Sequence, residues 1–159
     1  MKYLLTITIT LITALSLFAF NVNSDSSAYS LTDDIFEAIQ EIDIVSLNVH
    51  LAEGADINVA DKNGNTPLML AAKIGNPRMV KIILAHQPNI NAKNNDGYTA
   101  LMIASEQGQT FIVEQLLNKG AEISVVNNDG LTAAHLALRF GQPQIYNLLD
   151  SNTAKPVTR

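Results

Sequence analysis

Chemistry, if this chain performs any, would have to start from a small set of side chains. Three histidines, His50, His86 and His135, are suited to proton transfer or metal ligation, and there is no cysteine to join them. A metal site needs ligands that converge on one point, whereas these three fall in different segments at unrelated positions of the internal period described below, so no metal site is expected. Ser46, Ser105 and Ser124 lack a base at a spacing that would activate a hydroxyl nucleophile. Glu37 and Glu41 stand four residues apart, close enough on a helix to act as an acid and base pair, but the same spacing marks a solvated helix face, and that is the reading taken. The glycines are not followed by Lys-Ser or Lys-Thr at the spacing of a phosphate-binding loop. No catalytic residue and no cofactor site emerges, and the expectation is a protein that is not an enzyme.

The elements that carry these residues are set by a repeat. Asp61 to Lys93, Asn94 to Val126 and Asn127 to Arg159 align without a gap, each 33 residues after the last. Gly64, Gly97 and Gly130 coincide, as do Thr66, Thr99 and Thr132, then Ala71, Ala104 and Ala137, then Gly75, Gly108 and Gly141. Each column has a physical use. The first glycines follow Asn or Asp in a turn that needs positive φ. The threonines precede an apolar stripe and are placed to cap the first N–H groups of a helix, with Pro67 fitting its first turn. Leu68, Leu70 and Ala71, repeated as Leu101, Ile103 and Ala104, form that stripe, and the alanines let helices approach closely. The second glycine column ends the helix in a left-handed cap. A second helix follows, opened by Pro77 and Pro143 and bearing Val80, Ile83 and Leu84, or Val113, Leu116 and Leu117.

The period and the text Asp61-Lys62-Asn63-Gly64-Asn65-Thr66-Pro67-Leu68-Met69-Leu70-Ala71-Ala72 resemble the ankyrin-repeat family. The fold this implies is an all-α repeat solenoid, a stack of about four helix-turn-helix units joined by β-hairpin loops. Residues 31–60 read as a degenerate N-terminal capping repeat, with Leu31 and Ile42 in place of the two glycines; 61–93 and 94–126 are full repeats, and 127–159 is a C-terminal capping repeat with a polar tail. Asp150 interrupts the apolar column of Leu84 and Leu117, so the stack is expected to stop near it. About three repeats make a stable array, so four are expected to fold as a monomer. His135 inherits the family's bridge from a histidine to the threonine hydroxyl and nearby backbone. Met69 and Met102 take its column elsewhere and should leave those repeats more dependent on packing.

Upstream, Lys2 precedes an uncharged apolar run from Leu4 to Phe20 and a polar stretch from Asn21 to Ala28, the order of a secretory signal peptide. It is read as residues 1–24, with cleavage after Ser24 or after Ala28; retention as a membrane anchor is the alternative, and after cleavage no membrane span is expected. The placement is periplasmic or secreted. Ten basic against fifteen acidic residues give a net charge of −5, which repels a phosphate backbone, so the partner is not nucleic acid. Without cysteine there is no disulfide and no lipid attachment of the lipoprotein type.

The resemblance also implies where a partner sits: on a concave face made by the hairpin tips and the exposed side of the inner helices. Carrying the family's columns over places Lys62, Asn65, Lys73 and Ile74 there from the first full repeat, Tyr98, Glu106 and Gln107 from the next, and Leu131, Arg139 and Phe140 from the last. Ile74, Tyr98, Leu131 and Phe140 are apolar at columns where the fold does not require it, which suggests a binding hot spot; covering the C-terminal end of the stack is the other use for Leu131 and Phe140. The function expected is non-enzymatic binding of another protein by a bacterial module outside the cytoplasm. An immunity protein against a toxin, a helper of a periplasmic enzyme such as a catalase, and an effector acting in a host cell are the alternatives.

Overall fold

The structure is a computed structural model that describes residues 31–153. The signal-peptide reading, and the last residues of the polar tail, lie outside that range. Among the described residues there are eight helices and no strand: α1 Leu31–Gln40, α2 Ile44–Ala52, α3 Pro67–Ile74, α4 Pro77–Ala85, α5 Ala100–Glu106, α6 Thr110–Asn118, α7 Ala133–Arg139 and α8 Pro143–Thr153. They form four helix pairs, each stacked on the next through its inner helix, so the all-α solenoid expected from the sequence is the fold.

Local chemistry explains each pair. Thr66, Thr99 and Thr132 are the N-caps of α3, α5 and α7, each hydroxyl accepting from the N–H three residues on, at 3.4, 3.3 and 3.3 Å. Gly75 closes α3 in the left-handed region at φ +79°, where a Cβ would collide with the preceding carbonyl. Two of the outer helices have their own caps: Asp43 accepts from the N–H groups of Val45 and Ser46, and Asn76 accepts from those of Arg78 and Met79. Leu68, Met69, Ala71 and Ala72, with Leu101, Met102 and Ala104 above them and Leu136 and Ala137 beyond, are buried in one continuous core, sealed from the outside by Met79, Val80, Ile83, Ile112, Val113 and Leu116. No pair could bury this area alone, which is why the array is held by neighbours rather than by distant contacts.

The linking loops, expected as β-hairpins, contain no strand among the described residues; they are tight turns, closed by Gly64 N–H to Asp61 O and Gly97 N–H to Asn94 O at 2.9 Å each. They bond to one another between repeats. Asn95 N–H donates to Asn63 O at 3.0 Å, and Asn128 N–H to Asp96 O at 3.1 Å. The side-chain amide of Asn95 reaches Lys62 O and that of Asn128 reaches Asn95 O. Just before these turns Asn58 and Asn91 accept from the N–H groups of Asn89 and Glu122, one repeat on. Gly97 is needed at this seam for space as well as for its φ of +77°, because a Cβ there would lie 2.8 Å from the backbone nitrogen of Asn128.

Three features differ from the sequence reading. The first pair has no glycine at Ile42, yet Ile42 still takes the left-handed conformation, at φ +59°; the chain must reverse there to lay α2 against α1, and a β-branched residue accepts the strain. Met69 keeps part of the bridge it was expected to lose, since the Thr66 N–H points at its Sδ from 3.5 Å. In α8 the packed part ends at Leu149, but the helix continues to Thr153, with the Ser151 and Thr153 hydroxyls and the Asn152 amide bonded back to Leu148 O and Asp150 O.

Candidate functional site

The residues with chemical potential are built into the scaffold. His135 Nδ1 receives the Thr132 N–H at 3.2 Å and lies 2.9 Å from its hydroxyl, the capping role expected of it. Its column is buried at Met69 and Met102 but exposed at His135, because no later repeat covers it. His50 sits on α2 with Nδ1 3.7 Å from Glu53 Oε2, and His86 caps the end of α4. Ser105 is fully buried and its hydroxyl donates to Leu101 O at 2.7 Å; Ser46 donates to Asp43. Glu37 and Glu41 are exposed. Among the described residues no three His, Asp or Glu side chains are grouped so as to hold a metal ion.

One groove of about 490 Å³ opens between the second and third helix pairs, bounded by their hairpin turns and inner helices. Five residues expected on the concave face line it: Asn65, Lys73, Tyr98, Glu106 and Gln107. The α3 and α5 helices present Lys73 and Glu106 at the same turn of successive repeats, and the turn before α5 presents Tyr98. Lys62, Ile74, Leu131, Arg139 and Phe140 do not line the groove.

The proposed hot spot needs correction in its chemistry. Ile74, Tyr98 and Leu131 are partly buried and packed against the core, so the fold does use their apolar character. Phe140 alone of the four stands well exposed, at 49%. Asn65 is also partly structural, donating to Asp61 Oδ2 at 3.0 Å and accepting from Asn94 Nδ2 at 2.9 Å. Conversely, Leu70 and Ile103, read as core stripe, are only half-buried and line the groove. Their position two residues beyond Leu68 and Leu101 turns them from the core-facing side of the helix toward the concave side.

The groove's electrostatics follow from this packing. Burial raises the Tyr98 phenol above its ordinary value, and the nearby Glu106 carboxylate reinforces the shift, so Tyr98 offers a neutral hydroxyl beside an aromatic face. Burial pushes the Asp61 carboxyl up, but the Asn65 side chain and the N–H groups of Asn65 and Asn63 outweigh it and hold the group below its usual value. In the next repeats Asn94 and Asn127 take the place of Asp61 and accept the same two turn N–H groups. Where Asn94 Nδ2 finds Asn65 as its acceptor, the buried Asn127 side-chain amide faces the Tyr98 phenol instead, an interaction that partly offsets the upward shift there, because Tyr98 occupies the column of Asn65. The groove is thus lined by apolar side chains, Leu70, Ile103 and the Tyr98 ring, among charged ones, Asp61, Lys73, Asp96 and Glu106, and uncharged polar ones, Asn63, Asn65, Asn94 and Gln107.

No curated protein shows significant similarity to the chain. A family model described as ankyrin repeats, three copies, matches residues 35–127. With that match covering more than half of the sequence, and four capped helix pairs stacked through their inner helices, the chain belongs to the ankyrin-repeat family.

Proposed function

We propose that this protein is an exported bacterial interaction module that binds a partner protein through the groove between its second and third helix pairs, acting as a monomeric adaptor with no catalysis of its own. Ankyrin repeats generally mediate protein–protein interaction, and the family is typically non-enzymatic. The observation that carries the assignment to this groove is Tyr98, an aromatic side chain that lines it together with Leu70 and Ile103 and with Lys73 and Glu106. An aromatic anchor among apolar and charged neighbours is the composition an interface hot spot uses. Lys62, Leu131, Arg139 and Phe140 extend the surface at its two ends. Export rests on the apolar run Leu4 to Phe20 behind Lys2, read as a signal peptide that leaves repeats at 31–60, 61–93, 94–126 and 127–159 in the periplasm or outside the cell. Among the described residues no helix is long and apolar enough to cross a membrane.

The test is a pull-down from the native bacterial envelope with wild type and with Tyr98→Ala. A partner recovered by wild type and weakened at least about 30-fold in the variant, the loss of roughly 2 kcal/mol expected of a hot-spot residue, supports the assignment. Equal recovery by the two proteins refutes it. Fractionation tests the location separately, and recovery of the protein in the cytoplasm alone would refute export.

A further inference from the structure

The outer surface of the stack carries a second groove, of about 500 Å³, between α4 and α6. Pro77, Leu84, Ala85 and Phe111 supply its apolar wall, and Arg78, Lys81 and Lys119 stand at its edges with no carboxylate among the lining residues. Two of these side chains are not explained by folding. Phe111 is 60% exposed. Arg78 lies in the first turn of α4, where the helix dipole favours an acid over a cation. They occupy the same column of successive repeats and so stand side by side at one end of the groove, while Lys119 lies at the other, just past the end of α6. Among the described residues none of the three cations lies within 4.0 Å of a carboxylate, the one basic–acidic contact there being His50 with Glu53. Glu114, on α6, is exposed and likewise unpaired.

We propose that this outer groove is a second docking site, distinct from the concave one, and that its occupant is an acidic amphipathic helix of a partner protein. Charge complementarity selects the occupant: three unpaired cations cluster around an apolar wall on a chain whose net charge is −5. Arg78 and Lys119 are eight positions apart within the repeat, about 12 Å along the helix direction at a rise of about 1.5 Å per residue. A bound helix would therefore carry carboxylates about two turns apart, with leucine or phenylalanine between them against Phe111 and Leu84. With one surface facing inward and one outward, the protein could hold two partners at once and bring them together.

The probe is a fluorescent helical peptide of about three turns with leucines on one face and glutamates on the other, with a lysine-for-glutamate peptide as control. Binding is followed by polarisation and located by ¹⁵N NMR. The glutamate peptide is expected to bind with shift changes confined to α4 and α6, and to bind more weakly as salt rises. Affinity should fall at least about 10-fold in Arg78→Glu/Lys81→Glu and in Phe111→Ser, whose circular dichroism should be unchanged because all three residues are exposed, while Tyr98→Ala binds as wild type. The proposal is overturned if the glutamate peptide does not bind, if the variants bind it as wild type does, if the shifts fall on Tyr98 and the concave groove, or if phosphatidylglycerol vesicles bind the basic face and the peptide does not.

Discussion

Replacing Gly97 by alanine should cost far more than replacing Gly120, although both take similar positive φ values, +77° and +88°. The conformational part of the penalty is shared: forcing an L-residue into the left-handed region costs about 1–2 kcal/mol. At Gly120 a Cβ would meet nothing within 4 Å, so that is the whole expected loss. At Gly97 the Cβ would sit 2.8 Å from Asn128 N and 3.1 Å from Asn127 C, and both are backbone, which cannot swing aside as a side-chain tip can. The hairpin of the fourth pair must move away from that of the third. Two of the hydrogen bonds that cross this seam are made by Asn128 itself, N–H to Asp96 O at 3.1 Å and Nδ2 to Asn95 O at 2.9 Å, and each is worth about 1 kcal/mol net. Gly97→Ala should therefore lose about 3–4 kcal/mol, against about 1–2 for Gly120→Ala. Urea unfolding followed by circular dichroism measures both, and on heating the Gly97 variant should melt lower by roughly 4 °C for each additional kcal/mol. Equal losses for the two substitutions would refute the idea that hairpin contact between repeats, beyond turn geometry, holds the concave rim in register.

Two further perturbations follow from the same structure. Gln87 takes φ +53° in the column where Gly54 and Gly120 stand, and it is exposed, so Gln87→Gly should gain about 0.5–1 kcal/mol in the same unfolding assay. Asp61 has its carboxyl held below the ordinary value in the folded state. It therefore contributes stability that is present above the unfolded value of 3.8 and is lost as pH falls through the lower folded one. Asp61→Asn, which copies Asn94 and Asn127 at their own turns, should be less stable than wild type at neutral pH and should show a shallower loss when urea midpoints are compared from neutral pH down to below that value.

How much of this was legible beforehand depended on the range of the interaction. The threonine caps, the helix starts at Pro67, Pro77 and Pro143, and the left-handed turn at Gly75 are decided within a few residues of chain, so a 33-residue period displayed them all. The outer-helix caps Asp43 and Asn76 are equally local and could have been read from their place just before α2 and α4. Ile42 was less readable because residue type argued against the conformation that the reversal between α1 and α2 demands. The groove was legible only in part. Asn65, Lys73, Tyr98, Glu106 and Gln107, placed on one face by their columns, do line it, while Ile74 and Leu131 pack partly against the core, and Leu70 and Ile103, read as core stripe, line the groove.

Period, capping and composition thus determined the helix pairs, their order and their mutual stacking, because those rest on contacts that recur between each residue and its counterpart one repeat away. Which half-apolar side chains end up in the groove, that the Asn127 amide meets Tyr98 where Asn94 meets Asn65, and that Arg78, Lys81, Phe111 and Lys119 meet on the outer face were decided only when the pairs packed. Each depends on what the neighbouring repeat places opposite, and that pairing is a property of the assembled stack.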